Sequence, residues 1–190
     1  MKASTNRTAT LTILATLCVA IQLLPRPPNV EFTSLIVFFV GTSFGVVAGS
    51  ALGAAVMIIN GLYSPWGFAG LLMPFQATGM MLMGVAGGLY GRTKKEGYTR
   101  SVAGEAAVLG AFLTLVYDVI TNFGVVVSYV TLGTPVLPAF AATMVFGAPF
   151  SAVHVVSNTL VFGLTLYPLT KVVEGFFGGE KDWTSNSSST

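Results

Sequence analysis

The chain has 190 residues, of which 53% are hydrophobic and only 8% are charged, and its formal net charge is +2. Soluble domains carry about 25% charged residues, so this composition indicates a protein whose main solvent is lipid. The single cysteine, Cys18, excludes an intrachain disulfide and a cysteine-based metal cluster, and the nine Lys and Arg form no basic patch for nucleic acid.

The first predicted span covers residues 8–24. Lys2 and Arg7 precede it, and the prolines at positions 25, 27 and 28 end it because proline cannot continue a helix. A secretory signal peptide would need a small-residue cleavage site where these prolines stand. The sequence therefore predicts a transmembrane helix at this position rather than a cleaved signal.

The next stretch, residues 32–63, is too long for one upright helix and short for two, since about 30 Å of hydrocarbon requires about 20 helical residues. Later spans are predicted at 73–91, 102–130 and 145–170. Basic loops face the cytoplasm, so the loop 92–100 should lie on the same side as the N-terminus. An even number of crossings must separate them, and the stretch therefore divides near residues 41–45 into two spans, 32–43 and 45–63.

The predicted fold is an all-α integral membrane protein, a bundle of six transmembrane helices with both termini in the cytoplasm. Residues 1–177 form its single domain, and residues 178–190 form a polar cytoplasmic tail. Eight of the nine Lys and Arg then lie on the inner side, with Arg26 as the exception.

Side chains that are costly in lipid concentrate in the predicted outer half of the bundle. An aspartate at a helix centre costs roughly 2.5–3.5 kcal/mol on insertion scales, and such residues persist where they face a cavity or each other. Asp118 and Asn122 share a helix face because they are four residues apart, as do His154 and Asn158. With the outer loops they form the predicted substrate-binding set: Asn29, Glu31, Asn60, Tyr63, Trp66, Gln76, Tyr117, Asp118, Asn122, His154 and Asn158.

Each of these residues also has a purely structural interpretation. Asp118 and His154 could pair with each other and stabilise the bundle. Gln76 and Asn60 are typical of residues that hydrogen-bond helix ends, and Glu31 is compatible with headgroup water. The aromatic residues of the set are also typical of the membrane interface.

Small residues recur at helical spacing. Glycines stand at 41, 45, 49 and 53, at 84 and 88, and at 87 and 91. Such faces let helix backbones approach closely in lipid, and we predict that these glycines pack internally. Thr12, Thr16 and Ala20 form another small-residue face on the first span, where docking of a partner protein is the alternative.

From about residue 8 to 170 the chain resembles the substrate-binding S components of energy-coupling factor (ECF) vitamin transporters. The resemblance is carried by Pro28-Asn29-Val30-Glu31, the glycine ladder 41–53, Ser64-Pro65-Trp66, Pro74-Phe75-Gln76, Tyr117-Asp118-Val119-Ile120-Thr121-Asn122, Pro149-Phe150 and His154-Val155-Val156-Ser157-Asn158. It implies a prokaryotic plasma-membrane protein that binds one vitamin or related micronutrient at its outer face, with loop 27–31 as a lid.

The resemblance also implies partners, namely a transmembrane T component and two cytoplasmic ATPase subunits. These would supply the energy, because the sequence contains no P-loop motif. Family members contact the T component through alanine-rich faces on the first span. Here Thr12, Thr16 and Ala20 take that place, and the strict alanine spacing is absent.

Three other functions compete with this interpretation. A membrane scaffold of the cell-shape or assembly type would need partner surfaces but no pocket. An intramembrane hydrolase is disfavoured because no Gly-x-Ser-x-Gly elbow occurs and one His with one Asp is no established metal set. A proton-coupled carrier could use Asp118 and His154, but no inverted repeat is evident. The sequence therefore predicts a binding subunit that is no enzyme and needs no metal or cofactor, and it leaves the substrate open.

Overall fold

This computed structural model describes residues 2–25, 27–94 and 99–177, so Arg26, part of the basic loop and the predicted tail from residue 178 lie outside the described residues. The described residues contain no strand, which confirms the predicted all-α class. They form α1 (Lys2–Leu23), α2 (Thr33–Phe44), α3 (Val46–Tyr63), a short 3-10 helix (Gly70–Leu72), α4 (Met73–Thr93), α5 (Val102–Thr131) and α6 (Val136–Phe177).

Among the described residues, four helical segments are long and apolar enough to cross a membrane. They are α3, the 24-residue segment Gly70–Thr93, α5, and residues Val136–Val173 of α6. The chain is therefore a multi-pass membrane protein by the length and composition of its helices. Residues Arg7–Leu23 of α1 and the whole of α2 are also apolar but shorter.

The central helix of the bundle is α2. All nine residues from Thr33 to Gly41 are buried, and the helix packs against α1, α3, α4 and α6. The Phe38 ring packs edge-on against Phe162 of α6, with the ring centres 5.3 Å apart. Because neighbours surround α2, it can be apolar on every face, as expected of a buried helix.

Only Gly45 separates α2 from α3, and it is the last residue of the predicted interval 41–45. Its φ of +97° lies in the left-handed region that glycine adopts without steric cost. The chain turns back here, and α3 returns so close to α2 that a Cβ on Gly49 would lie 2.6 Å from the Cα of Gly41.

Close backbone contact continues from α3 to α4. A Cβ on Gly84 would lie 2.5 Å from the backbone nitrogen of Ser50 and would also overlap the Gly49 carbonyl group. We call this contact the glycine seam, formed by Gly41, Gly49, Gly53, Gly84, Gly87, Gly88 and Gly91. These glycines pack internally, as predicted, because only a missing side chain allows backbones to meet at this distance. Gly45 was predicted to pack in the same way and does not, since nothing lies within 4 Å of a Cβ added to it.

The helix α6 is longer than the sequence predicts. It begins at Val136 and ends at Phe177, 42 residues in all, whereas the predicted span covers 145–170. Pro138 lies in its first turn, where the N–H groups have no intrahelical acceptor, so proline does not interrupt the helix there. Pro149 and Pro168 lie inside it. The helix therefore extends beyond the predicted span at both ends.

The two ends of the bundle differ in charge. At the basic end, Lys94 at the close of α4 forms a salt bridge with Glu105 in the first turn of α5, and Tyr90 donates a hydrogen bond to the same carboxylate. Arg7 lies 5.8 Å from the ring centre of Phe44, the last residue of α2. The opposite end, where α1, α3 and α5 finish and α2, α4 and α6 begin, contains a cavity, and we call it the cavity end.

Candidate binding site

The cavity has a volume of about 580 Å³, within the range of small-molecule sites. Residues of α1, α3, α4, α5 and α6 line it, together with loop 27–31 and loop 64–72. Nine of the residues predicted from the sequence take part in its lining: Asn29, Glu31, Asn60, Trp66, Gln76, Tyr117, Asp118, Asn122 and His154.

Three ionisable side chains meet in this cavity, and we call Glu31, Asp118 and His154 the carboxylate–histidine cluster. The imidazole lies between the two carboxylates, with Nδ1 2.7 Å from Asp118 Oδ1 and Nε2 3.5 Å from Glu31 Oε1. The exposed fraction is 6% for Glu31, 7% for Asp118 and 6% for His154. A carboxylate oxygen only accepts, so in this pair the Nδ1–H group donates a hydrogen bond to Asp118.

Asn158 joins this cluster to the helices behind it. Its Nδ2 donates hydrogen bonds to Glu31 Oε1 at 3.1 Å and to Thr114 Oγ1 at 2.9 Å. Its side chain is fully buried and does not line the cavity. Asn158 therefore positions Glu31 from the α6 side, a role that differs from the substrate contact predicted for it.

Glu31 also satisfies the start of α2. Its Oε2 accepts the backbone N–H of Ser34 at 2.8 Å, one of the donors that a helix N-terminus leaves unpaired. Burial alone would raise the pKa of Glu31, but the close contact with His154, the charge of that ring and the hydrogen bonds from Ser34 outweigh burial and lower the pKa. Glu31 is therefore ionised at neutral pH.

Four buried polar atoms of the described residues lack a hydrogen-bond partner: Gln76 Oε1, Asp118 Oδ2, His154 Nε2 and Asn158 Oδ1. The first three belong to residues that line the cavity. A buried polar atom left without a partner costs about 1–3 kcal/mol, and such atoms are uncommon in folded proteins. The cavity therefore presents unused hydrogen-bonding capacity to a molecule that enters it.

Loops and aromatic side chains form the mouth of the cavity. Trp66 and Phe68, from the loop after α3, are about two-thirds exposed and line it. Across the mouth, Asn29 adopts a φ of +61°, and its Nδ2 donates a hydrogen bond to the carbonyl oxygen of Phe150 at 2.8 Å. Loop 27–31 is thereby joined to α6 at two residues, through this bond from Asn29 and through the bond from Asn158 to Glu31.

Tyr63, unlike Asn158, is a predicted residue with neither a place in the cavity wall nor a described contact to it. It ends α3, its side chain is 72% exposed, and it does not line the cavity. The sequence argument also omits several lining residues, among them Gln22, Met57, Phe68, Met80 and Phe150. Gln22 offers the one signal that sequence reasoning could have used, since it is an amide side chain in the last turn of an apolar helix.

The small-residue face of α1 lies on the surface. Thr12, Thr16 and Ala20 are all exposed, and Ile13 and Leu17 beside them are also exposed. The face therefore lies at the edge of the bundle, where either lipid or a partner protein can contact it. Within the described residues, no group of three His, Cys, Asp or Glu side chains has an arrangement suited to a metal ion.

Comparisons with protein-family models, with curated proteins and with solved structures found no match to this chain. The geometry of the cavity and its charged cluster therefore carries the functional interpretation.

Proposed function

We propose that the protein is the substrate-binding S subunit of an ECF-type importer and captures a vitamin or related micronutrient from outside the cell. The observation that carries this proposal is the cavity at one end of the bundle, with unpartnered polar atoms on Gln76, Asp118 and His154 in its wall. A scaffold protein would have no use for such a cavity, because unpaired buried polar atoms only reduce its stability.

The charge distribution supports an outward-facing cavity. Arg7, Arg92, Lys94 and Lys171 lie at the start of α1, the end of α4 and the last part of α6, which belong to the basic end. The positive-inside rule assigns such an end to the cytoplasm. On this assignment all six helices cross the plasma membrane of a prokaryote, both termini lie inside, and loops 27–31 and 64–72 face outward.

The exposed face of α1 supports docking to a transmembrane T component. Thr12, Thr16 and Ala20 keep its surface shallow, and small side chains allow close approach of a second helix in lipid. Two cytoplasmic ATPase subunits would then drive uptake.

Ligand identification tests the proposal. The protein is purified in lipid nanodiscs, co-purifying molecules are identified by native mass spectrometry, and a vitamin panel is titrated by calorimetry. One vitamin of the panel should bind. Its affinity should fall at least tenfold, about 1.4 kcal/mol, in each of the variants Asp118→Ala and Trp66→Ala. Glu105→Gln, at the basic end, is the matched control and should leave the affinity unchanged.

Two results would sink the proposal. One is the absence of any bound or added micronutrient across the panel. The other is ligand binding that survives both cavity substitutions unaltered, since the bound molecule would then lie elsewhere.

A further inference from the structure

The described wall of the cavity contains more acidic than basic side chains. Among the described residues that line it, the side chains able to carry charge at neutral pH are Glu31, Asp118 and His154, and none is Lys or Arg. The Lys and Arg residues of the described helices lie in the segments of the basic end. No described basic side chain therefore reaches the cluster to balance it.

Two carboxyl groups face one imidazole in this cluster, so the acidic groups outnumber the basic one. In the neutral state of the imidazole Nε2 would be an acceptor facing Glu31 Oε1 at 3.5 Å, so that pair gains no hydrogen bond. This excess of acidic groups lies among side chains that are more than nine-tenths buried.

Buried charge is costly unless an opposite charge or hydrogen-bond donors compensate it. Two of the unpartnered atoms, Asp118 Oδ2 and Gln76 Oε1, can only accept hydrogen bonds. A ligand that complements the described wall would therefore bring a positive charge and N–H donors for these two oxygens.

We infer that the ligand of this cavity is a flat organic monocation, whose charged nitrogen group donates hydrogen bonds to Asp118 and Gln76 while its ring lies against Trp66 and Phe68. Charge-assisted hydrogen bonds to a carboxylate are about twice as strong as neutral ones. Aromatic faces at the mouth attract a cationic ring as well. The inference rests on the proposed function and narrows its substrate class.

Other ligand classes fit the cavity less well. An anion would meet two carboxylates and no described basic side chain. A neutral ligand could pair with the oxygens but would leave the excess of acidic groups without a balancing charge. A bare metal ion would use little of a 580 Å³ cavity with an aromatic mouth, and the described acidic and histidine side chains do not form a metal-binding group.

Three probes of nearly the same shape test the charge requirement. Benzamidine is a cation with N–H donors, benzamide is its neutral counterpart and benzoate is its anionic counterpart. Each is titrated into ligand-free protein in nanodiscs and followed by ligand-observed NMR. Benzamidine should bind with a Kd of roughly 1 mM, as expected of so small a molecule. Benzamide should bind at least tenfold more weakly, and benzoate should not bind.

Variants locate the effect at the cluster. Asp118→Asn keeps the shape of the side chain but cannot carry a negative charge. It should therefore weaken the binding of benzamidine at least tenfold and abolish the preference for benzamidine over benzamide. Glu31→Gln is a second, independent variant and should reduce the same preference. Glu105→Gln should change neither value, and thermal unfolding verifies that every variant is folded.

The outcomes separate the two proposals. Equal binding of benzamidine and benzamide, tighter binding of benzoate, or no binding of any probe would overturn the cationic class. If a neutral or anionic micronutrient from the panel binds and is lost in Trp66→Ala, the transporter proposal stands and the cationic class fails. If nothing binds at all, both fail.

Discussion

The glycine seam and the cavity end bring helices together in opposite ways. At the seam, α2, α3 and α4 touch through backbone atoms and no side chain intervenes. At the cavity end, loop 27–31, α5 and α6 meet through buried polar side chains, several of which keep unpartnered atoms. In lipid the hydrophobic effect does not drive helices together, so close packing must provide much of the stability of the bundle. The closely packed glycine seam thus supports the cavity end, where some buried polar atoms lack hydrogen-bond partners.

The largest effect is expected from filling the seam. Gly84→Ala would place a Cβ 2.5 Å from the backbone nitrogen of Ser50, and backbone cannot move aside as a flexible side chain can. Overpacking typically costs 1–3 kcal/mol and occasionally more, and we expect a loss of about 3 kcal/mol or no folded protein. Thermal unfolding in detergent measures it.

Gly104→Ala is the matched control, because nothing lies within 4 Å of its added Cβ. Alanine favours a helix over glycine by about 1 kcal/mol, so this variant should be unchanged or slightly more stable. Similar unfolding temperatures for the two variants would contradict the account of the seam.

The next effect is expected from the residue behind the cavity. Asn158→Ala leaves Glu31 Oε1 and Thr114 Oγ1 without the donor that joins them, and the expected loss is about 1–3 kcal/mol. Thr159→Ala, which removes only a bond to the Val155 carbonyl of the same helix, is the control and should stay within about 0.5 kcal/mol. Equal losses of unfolding free energy in the two variants would show that the hydrogen bonds of Asn158 to Glu31 and Thr114 do not stabilise the fold.

A smaller effect should appear as a pH dependence. The pKa of Glu31 is lower in the folded state than its ordinary value. Its contribution to the free energy of unfolding is therefore complete above the unfolded pKa of about 4.3 and is lost as pH falls toward the folded pKa. Glu31→Gln should therefore flatten the decline in unfolding temperature below about pH 4 relative to the unmodified protein. Parallel curves for the two proteins would refute this role.

The smallest effect is expected at the basic end. Glu105 is exposed and pairs with Lys94 and Tyr90 in contact with water, where ion pairs contribute less than about 1 kcal/mol. Glu105→Gln should leave unfolding nearly unchanged, and added salt should not enlarge the difference. A loss as large as that of Asn158→Ala would remove the contrast between buried and exposed carboxylates.

Much of this arrangement follows from the sequence, because lipid restricts what polar residues can do. Loop charges and parity predict an all-helical bundle that breaks near Gly45, and helical spacing places Asp118 and His154 at matching depth. Their hydrogen bond was one of two interpretations that the sequence left open. Whether either residue also contacts a ligand stays a prediction.

Other features need three dimensions. Asn158 and Glu31 are 127 residues apart in the chain, and no local sequence pattern predicts the hydrogen bond that Asn158 donates to Glu31. Tyr63 is an aromatic residue at the end of a predicted span, yet its side chain is exposed and does not line the cavity. Met57 and Phe150 carry no polar signal, so only packing reveals that they form the wall.

The shortness of α2 has a consequence for where the cavity lies. Twelve residues span about 18 Å, while the hydrocarbon layer is about 30 Å thick, a difference equal to about two helical turns. Longer neighbours surround α2, so this difference becomes a recess inside the bundle rather than a dent in the bilayer. Glu31 stands where the next turn would begin. A one-turn extension of α2 at its N-terminus would draw Asn29 and Glu31, which both line the cavity, into the helix.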